Sequence, residues 1–469
     1  MRGLLASSIG VTCAVALALP PTSPAAAAPA AAGTRQAVTA GGTQSLPLVP
    51  LHRNRALRGP GEEQGLPMRD VRHFSLLGVV WDDPDAGLHG RVQVRTRAAT
   101  TGAWSGWQDV ETHNADHQAD PGSAERVAGR VRGGTAPLWV GDSDGVEIRV
   151  RAEPTGPKNG AATGENSPPA AADGAAAPVD RAAVPANRAA PQLPAGLRVE
   201  LIDPGVAPEP AAAPALTGGA RAVSAANTDL AGVLLGATEI PALDRAQTER
   251  EMHSLYGAEP AVPRQATPKI GPRPRIVTRR GWGADERMRE KGFVYSEKVG
   301  AAFVHHTVTG NNYRCSQAPS VIRGIYRYHV RSMGWRDIGY NFVVDKCGNI
   351  YEGRAGGVAK PVLGAHTRGF NTDSMGIAVL GTFTSTRPSS AAVKAIAGLT
   401  AWKLGLYGMN PRGMTYLKSG GGNLYRKGKK VRLNVISGHR DGYATECPGR
   451  KLYGKLGSAR STAAHYQGR

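Results

Sequence analysis

Aromatic residues are scarce in this 469-residue chain: Phe, Trp and Tyr make up 6% of it, whereas Gly and Pro number 61 and 34. A chain with so few large apolar side chains and so many turn formers is not expected to pack into a core over its whole length. No repeat with a period of about 20–50 residues is present, which excludes a solenoid or a propeller. Beyond residue 32, no segment reaches about 18 uncharged apolar residues, which excludes a membrane-spanning helix.

The first 32 residues have the pattern of a secretory signal peptide. A basic start at Met1-Arg2 is followed by an apolar run, Ile9–Leu19, and by small residues with A-x-A cleavage options. We expect residues 1–32 to be removed, Cys13 with them, so that the mature protein is secreted, extracellular or attached to the cell wall.

Composition divides the remainder into four parts. The pattern predicts a flexible leader at 33–70, a β-rich accessory domain at 71–205 with an Ala/Pro/Gly insertion at 154–195, an Ala/Pro-rich linker at 206–270 and a C-terminal domain at 271–469.

Several short strand patterns occupy the accessory domain. Gly90–Arg97 alternates between apolar and polar residues, and Asp82-Asp83-Pro84 marks a turn before it. Strands at this spacing predict a small β-sandwich. Within it, Trp104 and Trp107 could stack on sugar rings, but a tryptophan pair in a small β domain favours the core. Within the linker, an amphipathic patch at 242–256 predicts a short helix.

A histidine and a cysteine lie eight residues apart near the end of the chain. His439 and Cys447 are separated by Gly, Asp and Thr, which are typical of a surface loop that follows a strand. Imidazole and thiolate both bind zinc, and a catalytic zinc takes three protein ligands and keeps one position for water. His305 or His306, at the end of an apolar run, would supply the third ligand.

Five ordered motifs in the C-terminal region resemble the peptidoglycan recognition protein and type 2 N-acetylmuramoyl-L-alanine amidase family. The resemblance covers roughly residues 275–460. The motifs are Val304–Thr307, Gly339–Phe342, Gly364–Thr367, Ser374–Ile377 and Gly438–Gly449.

The elements of this region also predict an α/β fold. Residues 318–332 and 389–406 have helical spacing, while residues 301–304, 341–345 and 375–381 read as strands. Such an order predicts a mixed central sheet flanked by helices, and the fold implied by the resemblance agrees. A Gly/Lys/Arg-rich insertion at 409–432 departs from the family pattern and is either a polymer-binding cluster or an exposed loop.

Three cysteines remain after export, and three pairings are possible if one thiol stays free. Cys447 matches the zinc ligand of the family, so the resemblance implies a disulfide between Cys315 and Cys347. A crosslink closing a loop of this size contributes about 3–4 kcal/mol in the chain-entropy description.

The resemblance implies a Zn²⁺ cofactor bound by His305, His439 and Cys447. His305 is taken over His306 because the family uses the first residue of the pair, and alternating strand side chains point to opposite faces. The resemblance also implies two catalytic residues: Tyr340 would orient the attacking water or hydrogen-bond the developing oxyanion, and Thr445 would add a second hydrogen bond to that oxyanion. It implies that His366 contacts substrate, and a histidine there could also shuttle a proton.

Net charge is concentrated in the C-terminal part. Residues 271–469 carry 33 Lys and Arg against 10 Asp and Glu, a net charge of +23, within a chain total of +20. Such a charge attracts polyanions. For a secreted protein, peptidoglycan and anionic cell-wall polymer are favoured as partners over nucleic acid, although a merely cationic surface explains the charge equally well.

Three functions fit these residues. The first is a secreted zinc amidase that cleaves the bond between muramic acid and L-alanine in peptidoglycan. The second is a peptidoglycan-binding recognition protein without catalysis, although non-catalytic members of the family typically lack the cysteine ligand. The third, a structural zinc site, needs a fourth protein ligand; no further Cys or His in a suitable motif points to one, and His306 and His366 remain open.

Overall fold

The computed structural model describes residues 41–51, 63–112, 115–153, 192–206, 216–256 and 269–469. The predicted signal peptide and most of the predicted insertion at 154–195 lie outside these residues. Within the described residues, none of the helices is both long enough and apolar enough to cross a membrane.

In its described residues, the N-terminal part is an antiparallel β domain with eight strands. In chain order they are β1 (Gly42–Pro47), β2 (Val49–Pro50), β3 (Glu63–Trp81), β4 (Gly90–Ala98), β5 (Gln108–Val110), β6 (Gly133–Gly134), β7 (Leu138–Ala152) and β8 (Arg198–Asp203). Their order in the sheet is β1-β8-β3-β7-β4-β5, with β2 and β6 paired to β3. Strand β8, which follows the insertion, returns between β1 and β3.

Two expectations for this domain need correction. Strands β1 and β2 and the start of β3 lie in residues 33–70, so a part of the predicted leader belongs to the sheet. Trp104 and Trp107 are half-buried rather than core residues. The guanidinium of Arg149 lies 4.1 Å from the Trp107 ring centroid, and cation–π contact with arginines covers this pair.

The C-terminal part has a seven-stranded mixed sheet. Its strands are β9 (Glu239–Ile240), β10 (Ile276–Val277), β11 (Ala301–His306), β12 (Phe342–Val344), β13 (Ile350–Glu352), β14 (Ser374–Val379) and β17 (Ile436–Gly438), in the order β17-β11-β14-β12-β13-β10-β9. Strand β11 is parallel to both of its neighbours, β14 and β17. The mixed α/β sheet predicted from the sequence is confirmed.

Helices cover both faces of this sheet. They are α1 (Gly218–Ala225), α2 (Arg245–Tyr256), α3 (Ala318–Arg327), α4 (Ser390–Gly405), α5 (Arg450–Tyr453) and α6 (Leu456–Tyr466). Alternation along the strands divides the core: Phe342 and Val344 face α4 and α6, whereas Val343 faces α3. Helix α3 continues through a π turn at Tyr328–Ser332. Ser389 caps the start of α4, where its side chain accepts a hydrogen bond from the amide of Ala392.

The predicted linker at 206–270 contains a folded segment, residues 216–256. Residues 216–256 contain α1, β9 and α2, and β9 pairs with β10 at the edge of the C-terminal sheet. The Arg273 guanidinium forms a buried ion pair with Glu251 on α2. The predicted helix at 242–256 is present as α2, and the segment extends the C-terminal domain because its apolar residues, such as Ile240, join that core.

The basic insertion at 409–432 falls mostly within a two-stranded hairpin, β15 (Met414–Lys418) and β16 (Lys430–Asn434). Leu417, Val431 and Leu433 pack beneath it against Phe303 and Phe370, while its lysines and arginines face outward.

The two domains share an apolar core. Leu76, Val80 and Ile202 of the β domain pack in one cluster with α3. The Tyr328 hydroxyl crosses the boundary and donates a 3.0 Å hydrogen bond to the Thr135 carbonyl. The β domain is therefore held in a fixed place against the C-terminal domain.

Candidate metal centre

Two histidines come together at the carboxyl ends of neighbouring parallel strands. Val304 of β11 is in register with Gly438 of β17, so His305 and His439 are the next residues at the same edge of the sheet. Their ring centroids lie 4.4 Å apart, and both side chains are fully buried. Carboxyl ends of strands are where open α/β sheets bind ligands.

Cys447 reaches the same point from the loop after His439. Its Sγ lies 3.8 Å from His305 Nδ1, and it accepts a hydrogen bond from the His306 amide at 3.4 Å. The sequence-predicted ligands His305, His439 and Cys447 are thus brought together by the fold.

A fourth candidate ligand comes from the β domain. His117 lies between β5 and β6, and its Nε2 is 3.6 Å from Cys447 Sγ. Its ring centroid is 4.5 Å from that of His439, and the four potential ligand atoms of His117, His305, His439 and Cys447 all lie within 4.8 Å of one another.

Sequence reasoning missed His117. The sequence motifs pointed to His306 and His366 as possible further ligands, and the structure adds His117 as a candidate. The available signal was a polar stretch, residues 116–120, which contains a histidine and interrupts a strand-rich domain.

The donor set fits a zinc ion. A tetrahedral zinc with ordinary Zn–S and Zn–N bonds holds a sulfur and a nitrogen about 3.5 Å apart, close to the separations found here. Neither ring nitrogen of His439 has a hydrogen-bond partner among the described residues, although the side chain is fully buried. Buried polar atoms are normally paired, and a metal ion would satisfy one of these nitrogens.

Burial sets the protonation of the histidines. It lowers the pKa of His439 to about 3 and that of His305 well below its usual value, so both imidazoles are neutral and able to bind a metal. The pKa of the Asp116 carboxyl lies below its usual value. Burial alone would raise this pKa, but the neighbouring His117 and His439 have the larger combined effect and lower it. The Asp116 Oδ1 lies 3.1 Å from His117 Nδ1, so it orients this ring.

Burial, and then Asp116, raise the pKa of the Cys447 thiol well above its usual value. A bound divalent cation reverses this balance, since a coordinating thiol loses its proton.

His366 lies behind His305 rather than on an open surface. His366 Nδ1 is 3.3 Å from His305 Nε2, and its own Nε2 is 3.4 Å from the Ser374 hydroxyl. The His366 side chain is fully buried. This is the place of a residue that fixes the outer nitrogen of a metal-bound histidine, whereas the resemblance implied a contact with substrate.

Tyr340 and Thr445 border the cluster. The Tyr340 ring centroid lies 5.6 Å from that of His305 and 5.9 Å from that of His117. Burial, and then the charges of Cys447 and Asp116, raise the pKa of Tyr340 well above its usual value, which keeps the phenol protonated. The Thr445 hydroxyl accepts a 3.2 Å hydrogen bond from the Cys447 amide, so it shapes the ligand loop.

His306 points to the other face of β11, as alternation requires. Its Nδ1 accepts a hydrogen bond from the Phe383 amide at 3.2 Å. It is not a member of the cluster.

Cys315 and Cys347 form the disulfide that the resemblance implies, across a sequence separation of 32 residues. It joins the 3-10 turn at Cys315–Gln317, ahead of α3, to the turn between β12 and β13. Cys447 is left as a free, buried thiol.

Comparison of the sequence with known proteins places the chain in a family. Residues 295–450 match the family model for N-acetylmuramoyl-L-alanine amidase. Peptidoglycan-recognition protein SC2 of Drosophila simulans is 30% identical over 183 residues, which are 84% of that protein and 39% of this chain. The chain belongs to the peptidoglycan recognition protein and type 2 amidase family.

Other members of this family show similar sequence identities to this chain. Peptidoglycan-recognition protein 1 of Holotrichia diomphalia is 32% identical over 186 residues, 79% of its length. The solved structure of Drosophila PGRP-LB is 26% identical, with a TM-score of 0.31, and the match covers 39% of this chain and 92% of that one. Residues 23–178 match a different model, described as the Rv3811 N-terminal galactose-binding domain-like family. His117 lies in this second match, outside the amidase family region.

Proposed function

We propose that this protein is a secreted, zinc-dependent N-acetylmuramoyl-L-alanine amidase. The substrate bond would be the amide that joins the lactyl group of muramic acid to L-alanine in peptidoglycan. The observation that carries this proposal is the meeting of His305, His439 and Cys447 at one strand edge, beside Tyr340, in a chain of this family.

The side chains of the cluster would bind the metal ion, and a neighbouring histidine would orient one of them. His305, His439 and Cys447 would hold the zinc ion, and His366 would fix the ring of His305 through its outer nitrogen. Bound zinc lowers the pKa of water towards 7 and polarises a carbonyl group. Family membership supports zinc as the metal, and the donor set of nitrogen and sulfur fits it.

Tyr340 would stabilise the negative oxygen that develops on the scissile carbonyl. Its phenol stays protonated because its pKa is raised, so it can donate a hydrogen bond to that oxygen. Thr445 has no charge and its hydroxyl already accepts a hydrogen bond from the Cys447 amide. The absence of a charge supports a weaker contribution of Thr445 to oxyanion stabilisation.

A second candidate function is peptidoglycan binding without hydrolysis. One observation favours it: the cluster consists of four protein side chains once His117 is included. A zinc ion bound by all four would have no position for water. The relatives are named as recognition proteins, which supports wall binding in either case. The basic C-terminal surface supports anionic wall polymer as a further partner.

Mass spectrometry of digested peptidoglycan tests the proposal. Purified wall is incubated with the full chain and with His117→Ala, each with and without a chelator, and Cys447→Ser is the matched inactive control. Release of stem peptides from intact glycan strands, lost with the chelator and restored by zinc, is the expected result. Wall binding without peptide release from either protein would instead establish the recognition function.

A further inference from the structure

A segment of the β domain covers the metal cluster. This covering segment, residues 115–126, lies between β5 and β6. Asp116, His117 and Gln118 are polar residues, yet none of these side chains is more than 4% exposed. Polar loop residues normally face water, and here the C-terminal domain removes them from it.

The first half of the covering segment is held by main-chain and amide donors of the C-terminal domain. The Arg368 amide donates to the Asp116 carbonyl at 2.9 Å, and Asn371 Nδ2 donates to the Gln118 carbonyl at 2.9 Å. Asn371 Nδ2 and the Gly369 amide also donate to the Asp120 carboxylate, at 2.6 and 2.7 Å. The covering segment is therefore bound to Arg368, Gly369 and Asn371 of the family region.

The second half of the covering segment is held by an ion pair. The Glu125 carboxylate accepts two hydrogen bonds from Arg354, at 2.8 and 2.9 Å, and both side chains are 8% exposed. The Arg336 amide adds a third at 3.1 Å. Paired planar groups of this kind give a strong and specific contact.

Within the first half of the covering segment, His117 lies where a zinc ion held by His305, His439 and Cys447 would otherwise leave a position for water. Three ligands come from the C-terminal domain, and the fourth side of the cluster is closed by His117 Nε2. Substrate would need the same position, because the carbonyl to be cleaved must approach the metal. Hydrolysis and the placement of His117 therefore exclude each other.

We propose that the covering segment is a reversible inhibitory element, with His117 as a zinc ligand in the closed state and displaced in the open state. The proposal rests on the proposed amidase function. Both polar side-chain atoms of Gln118 are buried without a hydrogen-bond partner among the described residues. Such groups cost free energy in the closed state, which reduces the free-energy difference between the closed state and an open one. Covalent change is not required: opening exchanges the His117 nitrogen for water.

The probe of closure is azide added to protein whose zinc has been replaced by Co²⁺. Azide changes the visible spectrum of cobalt only where a coordination position is open, so this readout does not depend on hydrolysis. For the full chain we expect no change at azide concentrations that saturate an open site. For His117→Ala we expect a saturable change.

Glu125→Ala loosens the covering segment without touching a metal ligand. We expect azide to produce a spectral change that the full chain lacks, and soluble muropeptide to be hydrolysed at least about tenfold faster than by the full chain, because a larger fraction of molecules is open. Hydrogen exchange of residues 115–126 should accelerate by a similar factor. The matched control is Asp109→Asn, which removes an exposed carboxylate paired with Arg91 inside the β domain.

The outcomes separate this proposal from the proposed function. Equal azide binding by the full chain, His117→Ala and Glu125→Ala would overturn the inhibitory element even if all of them hydrolyse peptidoglycan. Azide binding by the two variants alone, with no stem peptide released by any protein, would support closure and overturn the amidase. If His117→Ala opens the site but Glu125→Ala changes neither azide binding nor exchange, the site is permanently closed and structural, and the proposal fails. Should His117→Ala not fold, Glu125→Ala decides alone.

Discussion

His117 Nε2 lies 3.6 Å from Cys447 Sγ, although 330 residues separate the two in the chain. One side chain belongs to the β domain and the other to the C-terminal domain. The candidate metal centre is thus assembled from both domains, and any account of its chemistry has to include the N-terminal half of the protein.

Replacement of the cysteine ligand tests the cluster directly. Cys447→Ser should lower zinc affinity by more than about 100-fold, beyond the loss typical of outer-shell partners, and should abolish hydrolysis. Zinc affinity is measured by competition with a chromogenic chelator. His465→Gln, an exposed histidine on α6, is the control. Unchanged zinc affinity in Cys447→Ser would remove Cys447 from the ligand set.

The role of the tyrosine can be separated from metal binding. Tyr340→Phe should keep the zinc content of the full chain and reduce kcat by about 10²–10³, the usual effect of removing one oxyanion donor. Tyr416→Phe, on the exposed face of the hairpin, should leave kcat unchanged. If Tyr340→Phe turns over at the rate of the full chain, the tyrosine is structural.

His366 offers a choice between two roles. Because its Nδ1 faces His305 Nε2, His366→Ala should reduce zinc affinity by about 10–100-fold. A direct contact with substrate would act differently, raising KM while zinc affinity stays constant. Zinc competition and steady-state kinetics on the same preparation distinguish the two.

Glu352 makes stability depend on pH. Burial raises its pKa from 4.5 to about 7, against hydrogen bonds from Asn227 and Arg279. The folded protein therefore holds the proton more tightly than the unfolded chain, and the contribution is full below pH 4.5 and lost as pH rises through 7. The loss amounts to about 3 kcal/mol for this one group.

Urea unfolding at several pH values checks this prediction. The free energy of unfolding of the full chain, minus that of Glu352→Gln, should fall between pH 4.5 and 7.5, because glutamine does not titrate. A difference that stays constant over this range would contradict the raised pKa. Any constant offset from the altered hydrogen bonds of glutamine does not affect the slope.

Helix α2 supplies a test of the region between the domains. Glu251→Ala leaves the fully buried Arg273 guanidinium without its ionic partner, which should cost about 3–5 kcal/mol of stability. Glu249→Ala, on the same helix, removes only an exposed pair with Arg245 and should cost less than about 0.5 kcal/mol. Equal effects in urea unfolding would mean that residues 216–256 are a linker after all.

Local patterns in the sequence predicted most of the C-terminal fold. The spacing of Val321, Ile322 and Ile325 marks the apolar face of α3, and the alternation around Phe342 marks a strand. These features are visible in sequence because each depends on neighbours a few residues away. The mixed sheet follows from patterns of this kind, whereas the ligand set of His305, His439 and Cys447 was implied by the family resemblance.

The remainder depends on contacts between distant segments. Strand β9 has only two residues, and its place at the sheet edge is set by β10, some 36 residues later. His117 is a single histidine in a loop, and its burial comes from residues such as Arg368 and Asn371 in the other domain. Single-sequence patterns carry no information about which surfaces meet, so neither feature could be predicted.

The core shared by Leu76, Ile202 and α3 joins two regions that belong to different sequence families. One family match ends at residue 178 and the other begins at residue 295, so sequence similarity divides the chain between these two positions. Folding does not, because Tyr328 and the apolar face around it require both halves. In calorimetry the two halves should melt together as one unit, and a recombined protein that joins this C-terminal domain to a foreign partner would have an uncovered apolar surface.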